Sequence, residues 1–189
     1  MPRRPYDKKK IGKFIGWGGE HLVFNYGDSQ VIKFSLHVWL AGRKAVEKLK
    51  KDYEIGRKYF APYLLPTEIL IWAKGKRAAE IQEKISCRFL KLADLKDSLI
   101  KKQFIDIMER YRKMEKETGL IFDLFGREGL FKFQPDFLSN VLITPEHKLT
   151  LIDFTLLELK PSWFDWPIWF LIQWAKKKQA KILRKFKNN

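Results

Sequence analysis

The stretch IGKFIGWGGEHLVF at 11–24 places Gly16, Gly18 and Gly19 between two apolar runs. A tight hairpin turn needs one or two glycines. Glycines lack the side chains that keep a ligand off the backbone, so a glycine-rich strand–turn–strand is a form that folds over the phosphates of a nucleotide. The dinucleotide-binding loop is a poorer fit, because it needs a helix directly after its glycines and residues 21–26 read as a second strand. Lys33 follows in Gln-Val-Ile-Lys-Phe with apolar residues around it. A lysine in such a run faces solvent at a sheet edge or points at an anion. On the next helical stretch Glu47 and Glu54 lie seven apart, on roughly one face, and Asp52 is a third acid. Each either pairs with that lysine or faces water. Farther on, Asn140 opens one strand of a hairpin and Asp153, in Leu-Ile-Asp-Phe, follows the other, so both reach one end of it. An amide oxygen and a carboxylate are hard ligands of the kind Mg²⁺ takes while keeping water and phosphate in its other positions. A buried carboxylate without a partner is costly, which points Asp153 to a metal or an ion pair.

The hydrophobic pattern says what must hold these residues. Alternating runs KFIGW, HLVFNY and QVIKFS read as three strands, the last two joined by the turn Tyr-Gly-Asp-Ser at 26–29. Residues 38–60 carry apolar positions at helical spacing, including Ala45, Leu49 and Tyr53, with charges opposite. Pro62 and Pro66 end that helix, and two further strands flank the turn Lys-Gly-Lys at 74–76. From about residue 92 the period turns helical again as far as Gly119. A short hairpin around Pro-Glu-His-Lys and a tryptophan-rich helical segment with a basic tail complete the order.

At 189 residues the chain suits one domain, or one domain of two lobes, and 46% hydrophobic residues exclude a disordered chain. A net charge of +16 attracts polyanions (nucleic acid, an anionic membrane surface or phosphate-bearing ligands) or else marks a solvated basic surface. One cysteine, Cys87, excludes an internal disulfide and a multi-cysteine metal site, and His21, His37 and His147 lack ligand spacing. The start MPRRPYDKKK has no apolar core region and does not read as a secretory signal. The run WFDWPIWFLIQW at 163–174 is interrupted by Asp165 and Pro167 and is too short to span a bilayer. A cytoplasmic protein is expected, with peripheral attachment to a membrane as the alternative.

Taken in order, Gly16-x-Gly18-x-x-His21-x-Val23, Val31-Ile32-Lys33, Asp136-x-x-x-Asn140 and Asp153-Phe154-Thr155 resemble the elements of the protein-kinase-like superfamily, above all its small, divergent microbial members. The resemblance spans residues 11–158. It implies an α+β, reduced two-lobed kinase-like fold. After a disordered basic arm at 1–10, an antiparallel β-sheet N-lobe with one long helix would occupy 11–85. A small, mainly helical C-lobe with a β-hairpin would occupy 86–189. ATP and Mg²⁺ are the implied cofactors. Gly16, Gly18, Gly19 and Val23 would cover the nucleotide, and Lys33 would hold its α/β-phosphates and pair with Glu47 or Glu54. Gln82, Glu83 and Ile85 would form the hinge that meets adenine, Asn140 and Asp153 would hold Mg²⁺, and Asp136 would be the catalytic base.

The chain also departs from the family. His21 and Thr155 stand where the family has glycine, and the His-Arg-Asp triplet is absent. With family spacing Pro135 takes the place of the base, and Asp136 is one residue nearer to Asn140; Asp123 is a second carboxylate that could enter the site. The family docks peptides on an activation segment and a longer helical C-lobe, so a protein substrate is not expected. Trp163, Trp166, Trp169 and Trp174, with Phe164 and Phe170, read as replacement core, as a membrane-interface belt, or, with the basic arm, as a nucleic-acid contact. The leading expectation is an ATP/Mg²⁺-dependent phosphotransferase with an unknown acceptor. The alternative is a nucleotide-binding pseudokinase whose basic termini engage nucleic acid or anionic membrane, and the third is a basic scaffold that binds no nucleotide.

Overall fold

Alternating apolar residues make β1 (Ile11–Trp17), β2 (His21–Tyr26) and β3 (Gln30–Ser35), and Gly27, at φ 62°, supplies the left-handed residue of the turn between the last two. The computed structural model describes residues 5–17, 21–122, 127–128, 132–133, 137–158, 177, 180–181 and 183–186. After β3, the Ser35 hydroxyl accepts the Val38 N–H at 3.3 Å and caps α1 (Leu36–Ala41). Gly42, at φ 62° and ψ −130°, separates α1 from α2 (Arg43–Phe60). The sequence spacing predicts one helix over 38–60; the break falls at a residue whose backbone leaves the helical region altogether. Next come β4 (Thr67–Trp72) and β5 (Arg77–Glu83), joined by a turn in which Ala73, Lys74 and Gly75 all have positive φ.

The chain divides into two compact units, Met1–Glu54 with Leu65–Ile85, and Ile55–Leu64 with Ser86–Asn189. The first unit is an antiparallel five-stranded sheet in the order β1-β2-β3-β5-β4. Period-two alternation sorts its residues onto two faces. One face packs Ile32, Ala79 and Ile81 with Tyr26 and Tyr6; Tyr6 meets Phe34 and Trp72 edge-on at 5.6 and 5.4 Å. The other face carries Ala78 and Ile69, which join Val38, Ala45, Val46 and Leu49 of α1 and α2. Residues 5–10 of the basic arm thus bring Tyr6 onto the sheet, and Lys8–Lys10 form an exposed 3-10 turn capped by Asp7.

In the second unit β6 (Arg88–Lys91) leads through a 3-10 turn, Leu92–Lys96, into α3 (Ser98–Thr118). Helical periodicity begins at Leu92, but the α-helix starts later because the Asp97 carboxylate accepts the N–H groups of Leu99 and Ile100. Gly119, left-handed at φ 68°, ends it. The strands β7 (Leu120–Phe122), β8 (Arg127–Glu128), β9 (Lys132–Phe133), β10 (Phe137–Ile143), β11 (Leu149–Leu151) and β12 (Leu156–Glu158) follow. They pair antiparallel as β11-β10-β6, β12-β7 and β8-β9. The core joins Phe60 of α2, Ile107 and Met114 of α3, and Phe122, Leu138 and Leu149 of the strands; Phe186 closes it against Phe104. The fold is α+β, with antiparallel pairing throughout its named strands. No helix among the described residues is long and apolar enough to cross a membrane.

Candidate functional site

In the first unit, strand register sets Gly16, Val23, Lys33, Glu80 and Ile69 in one row across β1, β2, β3, β5 and β4. The row lies on the face that α1 and α2 cover. Lys33 is 7% exposed on the central strand, with Val23 on one side and Glu80 on the other. It is therefore not an edge lysine on a solvated face. Glu80, itself buried, accepts the buried His21 ring nitrogen Nε2 at 3.1 Å. Gln82, two residues along the same face, is buried and donates its amide to the Thr67 hydroxyl at 2.7 Å.

A lysine, a carboxylate and a histidine on a covered sheet face are expensive to desolvate and stay only where they serve one another or a ligand. The acids of α2 divide clearly. Glu47 and Glu54 are exposed, whereas Asp52 is 5% exposed and pairs with Lys48 one turn away. At Gly16 an added Cβ would meet no described atom within 4 Å, so packing among the described residues does not account for the glycine. Gly18 and Gly19 lie outside the described residues. Glu83 ends β5, exposed, and the half-buried Ile85 is the last residue of the first unit.

In the second unit, Asn140 sits within β10 and Asp153 two residues beyond the end of β11, and the Ile152 N–H donates to the Asn140 carbonyl at 3.2 Å. Both residues thus belong to one end of the β10–β11 hairpin. Asp153 holds φ at 50°, and the Thr155 N–H closes a short turn on its carbonyl at 2.9 Å. Left-handed backbone at a non-glycine residue persists where its surroundings over-determine it. Here the next residue does so. Phe154 stacks on Phe122 at 4.6 Å, leans on Phe60 at 5.4 Å, and lies so close to Gly56 of α2 that a Cβ there would come within 2.8 Å of its ring.

Asn140 and Asp153 offer the amide and carboxylate oxygens that suit Mg²⁺. No group of three His, Cys, Asp or Glu residues placed to hold a metal occurs among the described residues. Asp136, Asp123 and Pro135 lie outside the described residues, as does the tryptophan-rich stretch.

Sequence reasoning missed Glu80 and the buried partnership of His21. The signal was present in Arg-Ala-Ala-Glu-Ile-Gln-Glu, where Ala78, Glu80 and Gln82 alternate onto one face. A search found no matching model of a protein family and no matching curated protein.

Proposed function

We propose that the protein is an ATP- and Mg²⁺-dependent phosphotransferase of the protein-kinase-like superfamily. The observation that carries this reading is the row Gly16–Val23–Lys33–Glu80, in which a lysine is kept in a covered sheet face directly opposite a carboxylate. A five-stranded antiparallel sheet with its long helix between the third and fourth strands supports the same reading. In this account Lys33 binds the α/β-phosphates, and Glu80 or an acid of α2 steadies its ammonium. The glycine-bearing hairpin of β1 and β2 lets phosphate approach main-chain N–H groups. Asn140 and Asp153 hold Mg²⁺, which neutralises charge on the phosphates when bound. Phosphoryl transfer asks little covalent chemistry of a protein, so positioning and charge compensation are the work these residues do.

A second reading, nucleotide binding without transfer, draws support from His21. The position matching the third loop glycine is a buried ring bonded to Glu80. Release of γ-phosphate from ATP separates the two. Transfer chemistry predicts slow turnover that falls at least about a hundredfold in Asp136→Asn, the usual scale for a general base. Binding without turnover would favour the second reading. Turnover indifferent to Asp136→Asn would remove Asp136 from the mechanism.

A further inference from the structure

On the sheet face opposite α2, Tyr6, Leu22, Phe24, Phe34, Trp39 and Trp72 wall a cavity of about 470 Å³, within the range of ligand sites. Arg77 stands at its rim with its guanidinium 5.2 Å from the Trp39 ring, donating to the carbonyls of Trp39 and Lys76. Both of these acceptors are carbonyls, which carry no formal charge. Arg43 donates to the Lys74 carbonyl at 3.1 Å, and Lys74 and Lys76 are exposed in the same turn. Tyr6 and Ile11, also lining the cavity, bracket the exposed Lys8, Lys9 and Lys10. At the end of α1, Trp39 is 63% exposed and Leu40 88%.

We propose that the first unit docks on an anionic phospholipid surface through this patch. Trp39 sits at headgroup level, Leu40 enters the acyl region, and Arg43, Lys74, Lys76 and Arg77 meet the phosphates. The cavity receives an apolar chain. An indole flanked by an exposed leucine and by cations is the chemistry of a membrane interface. A nucleic acid would use the cations and stack on Trp39, but it would have no use for Leu40 or an apolar cavity. The proposal is independent of the nucleotide reading.

The test is co-sedimentation of the full chain with vesicles of phosphatidylcholine, alone and mixed with phosphatidylserine. Binding is expected to the mixed vesicles, weaker by about fivefold for each charge removed in Lys74→Gln and Lys76→Gln. Leu40→Lys is the decisive variant, since its exposed site tolerates the change. It adds a positive charge, so insertion predicts at least about tenfold weaker binding, whereas pure charge attraction predicts tighter binding. Tighter or unchanged binding of Leu40→Lys overturns the proposal. So does a wild type that ignores the mixed vesicles, whether or not it binds a single-stranded oligonucleotide.

Discussion

Gly56 is the residue at which one methyl group probes the support behind Asp153. In an exposed helix, glycine to alanine gains about 1 kcal/mol from backbone propensity. Here the new Cβ would fall within 2.8–3.2 Å of three ring carbons of Phe154, which Phe122 and Phe60 prevent from retreating. Overpacking costs ~1–3 kcal/mol, so Gly56→Ala is expected to lower stability by roughly 1 kcal/mol net, read by denaturant melts. It is also expected to weaken Mg²⁺-dependent ATP binding, because Phe154 anchors the residue after Asp153. At this scale the sequence marks Lys33 and Asp153 by pattern alone, each being a lone charge in an apolar run. Glu80 is not marked in this way, since it gains its meaning from pairing across β3 and β5; Asp52 stands out only as a third acid of the helix, and its burial depends on which turn of α2 faces inward.

Among the elements, the entry to α3 rests on two carboxylates. Asp94 takes both terminal nitrogens of Arg88 at 2.6 and 2.7 Å and the Lys91 N–H at 2.8 Å. The Arg88 hydrogen bond outweighs the opposing effect of burial and holds the Asp94 carboxyl below its ordinary 3.8. A depressed folded-state value means that stability is present above pH 3.8 and is lost as pH falls through the folded value. Asp94→Asn is therefore expected to melt below the wild type at neutral pH, with the gap closing as pH drops below about 3.8, checked by thermal melts across that range.

Asp97 caps α3 and meets His147 at 2.7 Å, so Asp97→Ala is expected to lower the melting temperature and fray the first turn in hydrogen exchange. Periodicity marked α2 and α3 but not their starts. Gly42 and Asp97 act through backbone angle and capping, neither of which interrupts a hydrophobic stripe. Pairing of β6 with β10 was likewise invisible, because local sequence does not record which distant strand completes a sheet.

For the whole molecule, the charge of +16 left open whether the partner is a nucleotide, a lipid or a nucleic acid. The fold assigns part of that charge to separate places: Lys33 to a covered sheet face, and Arg43, Lys74, Lys76 and Arg77 to the cluster around Trp39. Surface clusters lose their attraction within a Debye length, about 8 Å at physiological salt, so vesicle binding is expected to weaken as salt rises. Nucleotide binding through a buried lysine should change much less. The most direct test of the account is therefore thermal melting with ATP and Mg²⁺ at fixed salt. At a hundredfold excess over Kd, binding adds ~2.7 kcal/mol, which for a chain of this length raises Tm by roughly 5–10 °C. The wild type is predicted to show that rise and Lys33→Ala and Asp153→Ala to lose it; no rise in the wild type, or an equal rise in both variants, would contradict the account.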